Sequence, residues 1–396
     1  MKKAIGLYIF IFLILLQVHS VEKQEEQKTE PGASQFSDYL SLLQRKKVGA
    51  VVNGASLVNK VQLIDTLLSR GILITKIFSP EHGFKGKVDA GSLVSDETYN
   101  NTIPIISLYG KKLIPSSEDL KDIDIMLFDL QDVGVRFYTY LSTLHYVMKA
   151  CAENNIQLII LDRPNPNGFY IDGPVLDEKF KSFVGLHPVP IVYGMTIGEY
   201  ACMINGEKWL GDSLSCNLTV IKCKNYNHNS YYDLIVNSSP NLTTMKAVYF
   251  YPSLALFEGT VVSEGRGTYS PFLVIGHPDY PSKIFSFVPE SIKGMSESPK
   301  FKGQTCYGID LRDFNIDSIK IKREIDLQFL INMYQNLNLG ESFFNDYFDK
   351  LAGSSDLRTD IVSGKSEKEI RTSWKSGLDE FKKIRAKYIL YPDFKN

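Results

Sequence analysis

The chain has 396 residues, 44% of them hydrophobic and 22% charged, with a formal net charge of -1. That length suits one large domain or two ordinary ones. So even a charge balance gives no global electrostatic case for nucleic acid or anionic lipid as a partner. The 22 Tyr and 23 Phe suit a carbohydrate- or peptide-binding cleft, where a tyrosine ring stacks while its hydroxyl bonds, but read first as a Tyr-rich core.

In chain order, Lys2 and Lys3 precede the apolar run AIGLYIFIFLILLQV, and a polar stretch follows. This succession describes a secretory signal, expected over residues 1–20 with cleavage after Ser20. The competing reading is an uncleaved anchor, for which the run is short. The expected location is periplasmic or extracellular, with no membrane association after cleavage. Residues 21–36 are charged and contain Pro, Gly and Ser, which suits a flexible leader.

Strand and helix signals then alternate. VGAVVNGAS, ILITKIFS, IPIISLYG, IDIMLFDLQ, IQLIILDRPNPNG and VPIVYG read as strands. VQLIDTLLSR, ending at Gly71, and LSTLHYVMKACAENN have helical spacing, and TIGEYACMIN opens on a Thr196–Glu199 capping box. Continuous Val/Ile/Leu runs belong to parallel strands covered on both faces. The expected fold class is α/β, a Rossmann-like, doubly wound, mainly parallel sheet over residues 37–250. A second, smaller α/β or α+β auxiliary domain is expected over 251–396, with PFLVIG and CYGIDLRD as strands and LQFLINMYQNL and SGLDEFKKIRAKYILY as helices. Cys151, Cys202, Cys216, Cys223 and Cys306 include no C-x-x-C pair, so no zinc knuckle or redox motif is indicated; a Cys216–Cys223 bridge stays open.

In an open parallel sheet, ligands bind outside the carboxyl ends of the strands, and polar clusters stand at several such ends. In SPEHGF, Pro80 and Gly83 restrict the turn that carries Glu81. A carboxylate there serves as general acid, base or nucleophile, or as an ordinary capping or salt-bridged acid. His82 reads as a hydrogen-bonding group, and no second His stands at metal-ligand spacing, so no metal is expected. FDLQDVGVRFYTY supplies Asp129, Gln131, Asp132, Arg136, Tyr138 and Tyr140. Its acids either bond sugar hydroxyls or hold Arg136, and Arg136 either forks a carboxylate or shapes the loop. LDRPNPNG supplies Asp162, Arg163, Asn165 and Asn167 around two prolines, a pre-ordered set for hydroxyls, amides and carboxylates, or a plain turn. FEGTVVSEGRGT adds Glu258, Glu264 and Arg266 at the domain junction, where Gly265 and Gly267 offer a weak anion cradle. The chain lacks G-x-S-x-G, H-E-x-x-H and P-loop motifs, which weighs against a serine esterase, a zincin or a kinase.

Together FSPEHGFKG, FDLQDVGVRFYTYLSTLHY, LDRPNPNGFYIDGPVL, YGMTIGEYA, FEGTVVSEGRGTYSPF and KSEKEIRTSWKSGLDEFKKIRAKYILYPDF resemble the exo-β-N-acetylmuramidases, the NamZ-type glycoside hydrolases. The resemblance spans nearly the whole chain after the leader. It implies a Rossmann-like first domain, a smaller auxiliary one, a site in the cleft between them, and no cofactor. The implied activity is hydrolysis of non-reducing terminal N-acetylmuramic acid from peptidoglycan glycans (MurNAc-GlcNAc). The family's PEHG glutamate maps onto Glu81, and a tyrosine of RFYTY onto Tyr138 or Tyr140. Phe169 stands where a small residue is common, and SSPNLTT replaces a Trp-flanked, Pro-rich form.

Such a substrate carries a lactyl carboxylate, so the site needs a cation, for which Arg136, Arg163 and Arg266 are the candidates. Glycoside cleavage usually needs two carboxyl groups. Glu81 is one; Asp129, Asp132, Glu258 and Glu264 compete for the second, which a tyrosine or the acetamido oxygen of the substrate would replace. The expected catalytic set is Glu81, Asp132 and Tyr138. His82, Asp129, Gln131, Arg136, Tyr140, Arg163, Asn165, Asn167, Glu264 and Arg266 are expected to bind substrate. The rival reading is a non-catalytic wall-glycan or solute receptor on the same plan. A peptidoglycan amidase or β-lactamase-like hydrolase fits less well.

Overall fold

Strands that are apolar on both faces need cover on both faces, and the chain provides it by winding helices to either side of one sheet. The computed structural model describes residues 28–81, 83–84 and 97–394; the expected export signal at 1–20 and His82 lie outside the described residues. The strands of the first domain are β1 (Lys47–Val52), the short hairpin β2 (Leu57–Val58) and β3 (Val61–Gln62), β4 (Leu73–Ser79), β5 (Glu97–Tyr99), β6 (Ile103–Ser107), β7 (Ile125–Asp129), β8 (Gln157–Leu161) and β9 (Leu218–Ile221). Seven of them form the central sheet in the order β5-β6-β4-β1-β7-β8-β9. All neighbours pair in parallel except β5, which edges the sheet antiparallel to β6.

Alternate side chains of the inner strands feed two cores. Met126, Phe128, Leu158 and Ile160 join one with the helices Tyr140–Glu153 and Ile197–Gly206. Ile125, Leu127, Ile159 and Leu161 join the other with Phe36–Leu43 and Leu63–Leu68. The expected Thr196–Glu199 capping box is present at the start of Ile197–Gly206. From β1 the chain builds outward through β4 to β6, then crosses to β7 on the other side of β1. That reversal opens a crevice at the carboxyl ends of β1, β4 and β7.

Several expectations need correction. VPIVYG is not a sheet strand: Val192 makes isolated bridges to Val135 and Asp172, and Pro190 brings no N–H to a ladder. The last parallel strand is instead β9, whose NLTVI pattern is too short and polar to announce itself. The described part of the leader, 28–36, is docked on the sheet. Glu30 and Lys224 exchange backbone bonds of 3.0 and 2.9 Å, and the Gly32 N–H donates to Asp162 O at 2.8 Å. Cys216 and Cys223 are free thiols, as are the other three. They flank β9, whose extended backbone, at about 3.3 Å per residue, holds them apart.

The second domain has a three-stranded antiparallel sheet of β10 (Val274–His277), β11 (Ser286–Phe287) and β12 (Cys306–Asp310), in the order β10-β12-β11. Its apolar interior is continuous with the first: Leu254, Phe257, Phe272, Leu330 and Phe348 belong to the same buried cluster as Phe128 and Ile160. The helix Glu367–Arg385 returns the chain to the first domain. There Arg385 donates to Gly194 O at 2.9 and 2.6 Å, and Tyr391 Oη donates to Asp162 Oδ2 at 2.6 Å.

Gly32 marks how tightly the leader is seated. A Cβ there would stand 2.2 Å from Ile221 O and 2.7 Å from Asp162 N. Gly32→Ala is expected to destabilise the protein by roughly 2 kcal/mol, through overpacking against backbone that cannot yield. Denaturant unfolding measures this, with the half-buried Ser34→Ala on the same turn as the near-neutral control.

Candidate active site

The crevice of the first domain meets the second domain in a cleft of about 410 Å3. Glu81, Tyr138, Thr139 and Tyr140 line it together with Tyr251, Glu258, Arg266, Tyr347 and Lys350. Glu81 leaves the end of β4 on a turn closed by the Gly83 N–H on Pro80 O at 3.1 Å, with Gly83 at φ +70°, a conformation glycine adopts freely. Its Oε2 accepts a 2.7 Å bond from Thr139 Oγ1. Thr139 caps the helix Tyr140–Glu153 and makes no side-chain cap bond of its own, because its hydroxyl is turned to Glu81. Among the described residues Glu81 has no ion-pair partner.

Tyr138 and Tyr140 meet edge to face at 4.8 Å, and both hydroxyls donate to Ser238 O, at 2.8 and 3.2 Å. Asn53 Nδ2 donates to Tyr140 Oη at 2.7 Å. Burial raises both phenols above their ordinary range, so each remains a protonated hydroxyl at neutral pH.

Facing them, Glu258 pairs with Arg266 at 2.9 Å, and Arg266 also reaches Glu264 at 3.3 Å. Burial works to lower the pKa of this guanidinium, but Glu258 and Glu264 outweigh it and the net shift is upward. Tyr251 and Tyr347 sit within the fields of both Glu81 and Glu258. Burial first, and then these carboxylates, push both phenols up. The two glutamates therefore address one shared space. Gly265 and Gly267, at φ +80° and +81°, form no open cradle: a Cβ on them would meet Val274 O at 2.8 Å and Glu290 O at 2.7 Å.

The remaining expected site residues do not line the cleft. Asp129 and Arg163 form a buried bidentate pair at 2.5 and 2.7 Å. Gln131 donates to Asp132 O and Pro164 O, both at 2.9 Å. Asn165 donates to Met195 O at 2.8 Å and accepts from the Asn167 N–H at 2.8 Å. Asn167 donates to Val133 O at 2.9 Å and Val248 O at 3.2 Å. Glu264 is 3% exposed and pairs inward with Lys300 at 3.2 Å.

Asp132 and Arg136 are the two most consequential of these. Asp132 Oδ2 accepts from Tyr193 Oη and from the Gly134 N–H, while its Oδ1 is buried without a partner. Burial pushes its carboxyl up to about 6 despite those bonds. Arg136 pairs with no carboxylate among the described residues. It donates instead to Pro174 O (2.8 Å), Val189 O (2.7 Å), Leu351 O (2.9 Å) and Ala352 O (2.7 Å). Burial lowers its pKa to about 9.

Sequence reasoning missed Thr139, Tyr251, Tyr347 and Lys350. The tyrosines read as core, and nothing local sets a lone lysine apart from a solvated one. No group of three or more His, Cys, Asp or Glu side chains among the described residues could hold a metal ion.

Residues 48–246 match the family model "Exo-beta-N-acetylmuramidase NamZ, N-terminal", and residues 249–391 match its C-terminal counterpart. The chain is 38% identical over 373 residues to the peptidoglycan beta-N-acetylmuramidase NamZ of Bacillus subtilis (strain 168), covering 89% of each chain. Crystal structures of two DUF1343 family proteins from Bacteroides fragilis NCTC 9343 are similar in fold. One superposes with a TM-score of 0.86 at 44% identity, the other with 0.76 at 27%, and each match covers 92% of this chain and 99% of the other.

The buried Asp132 gives the protein a pH signature. Its folded-state pKa of about 6 lies above the ordinary 3.8, so the folded state holds a proton that the unfolded chain has already released. Its stabilising share is complete below pH 3.8 and is lost as pH rises through about 6. Asp132→Asn keeps an acceptor for Tyr193 and Gly134 and removes the charge. Relative to the parent protein, it should gain up to about 3 kcal/mol between roughly pH 4 and pH 8. Urea unfolding at a series of pH values checks this; a constant difference would refute it.

Proposed function

The chain belongs to the exo-β-N-acetylmuramidase NamZ family, and we propose that it releases terminal N-acetylmuramic acid from peptidoglycan glycans such as MurNAc-GlcNAc. It is a glycoside hydrolase; the exo mode, the cleft as its site and Glu81 as its working carboxyl are our reading. One observation carries that reading: Glu81 and Glu258 converge from the two domains on a single aromatic-walled cleft.

Glycoside hydrolysis needs a proton delivered to the departing oxygen and negative charge near the developing oxocarbenium ion. Glu81 suits the proton transfer. Its described partner is the neutral Thr139 hydroxyl, and no ion pair among the described residues holds it away from the cleft. Glu258, held by Arg266, suits the charge-bearing role. Tyr138, protonated and bonded to Ser238 O, serves as a hydroxyl that orients the sugar, not as a phenolate nucleophile. Asp132, expected as a second catalytic group, supports the loop from below through Tyr193 and Gly134.

The cleft volume of about 410 Å3 is near the small end of the ~300–1,000 Å3 of ligand sites. That favours one terminal sugar over an internal stretch of glycan. Tyr109, Phe183, Tyr251 and Tyr347 offer faces on which a pyranose stacks. The substrate lies outside the cytoplasm, and the basic-apolar-polar start of the chain agrees with export to the periplasm or beyond.

Glu81→Gln keeps the shape and the Thr139 bond while removing the proton. Turnover of an aryl β-N-acetylmuramide is expected to fall by about 10²–10⁴-fold, with binding of N-acetylmuramic acid retained. Unchanged turnover in the variant would remove Glu81 from the chemistry. A parent protein that binds the sugar but never cleaves it would favour the receptor reading.

A further inference from the structure

The proposed substrate makes a demand that the residues assigned so far do not meet. N-acetylmuramic acid carries a lactyl carboxylate on O3, and the cleft that would receive it already holds Glu81 and Glu258. A third negative charge in that space needs a cation that is not otherwise engaged. Each candidate arginine is committed elsewhere: Arg136 to four carbonyls, Arg163 to Asp129, and Arg266 to Glu258 and Glu264.

Beside Arg266, the described lining includes one further cation, Lys350. Its side chain is exposed and has no ion-pair or hydrogen-bond partner among the described residues. Its backbone, by contrast, is fixed on both sides. Asp349 is forked by Arg358 at 2.9 and 3.1 Å, and Leu351 O and Ala352 O accept from Arg136. Phe348 is fully buried, and Gly353, at φ +80°, ends the helix Phe348–Ala352. A lysine in the last turn of a helix ordinarily complements the helix dipole. Here the terminal carbonyls are already satisfied by Arg136, so that role is filled.

We propose that Lys350 binds the lactyl carboxylate and so distinguishes muramic acid from glucosamine in the terminal subsite. The proposal rests on the reading of this cleft as a muramidase site. The ammonium reaches in from a fixed backbone, forms a charge-assisted bond to the carboxylate, and balances the charge of a lining that holds two carboxylates. Arg136 acts as a positioning residue for it, through the carbonyls of Leu351 and Ala352.

The test measures the Kd of N-acetylmuramic acid, its methyl ester and N-acetylglucosamine for the parent protein, Lys350→Met and Lys350→Arg. The parent is expected to prefer the acid over both neutral sugars by about 10–100-fold, the range of one charge-assisted hydrogen bond. Lys350→Met should abolish that preference, and Lys350→Arg should restore most of it. A Met variant that keeps the preference, with its thermal midpoint intact, overturns the proposal. So does a parent protein that binds acid and ester equally, a comparison that needs no variant. Turnover of the aryl muramide by the parent separates the two claims. Turnover without Lys350-dependent discrimination overturns the role of Lys350 alone, and Lys350-dependent binding without turnover overturns the muramidase reading alone.

Discussion

A buried guanidinium joins the two domains, and the shape of the cleft depends on it. Arg136 is 2% exposed and donates to carbonyls of the first domain, Pro174 and Val189, and of the second, Leu351 and Ala352. A charge so far from water is costly, by several kcal/mol after relaxation. Four charge-assisted bonds offset that cost, and the acceptors at Leu351 and Ala352 lie at the negative end of a helix. The geometry leaves little freedom: a Cβ on Gly353 would stand 2.5 Å from Arg136 Nη2. Because one head group needs all four carbonyls, the helix Phe348–Ala352 is held at one position over the first domain. Tyr347 and Lys350 thereby line the same cleft as Glu81.

The polar loops at the strand ends form a scaffold under that cleft. The Asp129–Arg163 pair, the Asn165–Asn167 turn and the Gln131 amide stay out of the lining: the pair ties two side chains together, and the amides of Asn165, Asn167 and Gln131 hold backbone. Gly134 is packed against Asn165 so closely that a Cβ would stand 2.1 Å from its Oδ1. Dense polar motifs invite assignment to ligand binding. In the low dielectric of an interior, the same groups act as a rigid hydrogen-bonded network. What reaches the cavity from this layer is Glu81, through the Thr139 hydroxyl, and the tyrosine pair at 138 and 140.

The apolar cores support the same division. One face of the sheet is covered by the helices Phe36–Leu43 and Leu63–Leu68 and is closed on itself. The other face continues into the second domain without a break, so the domains share a core as well as a cleft. A shared core resists relative motion, which suits a site assembled from residues on both sides.

The sequence alone determined the strands β1, β4, β6, β7 and β8, the capping box at Thr196 and the place of Glu81 at a strand end. Each of these is written in neighbouring residues: an apolar run, a cap three residues from its partner, a proline and a glycine around an acid. It failed where the signal was weak or misleading, as at β9 and VPIVYG. Only the tertiary structure decided which charges are engaged and which are free. Arg136 meets Leu351 across 215 positions of chain, and no local pattern encodes such a meeting. A side chain has a fixed chemistry, but its partners are chosen by packing. Asp129, Asp132, Arg136 and Arg163 are therefore engaged inside the protein, whereas Arg266 and an unremarked lysine, Lys350, line the cavity.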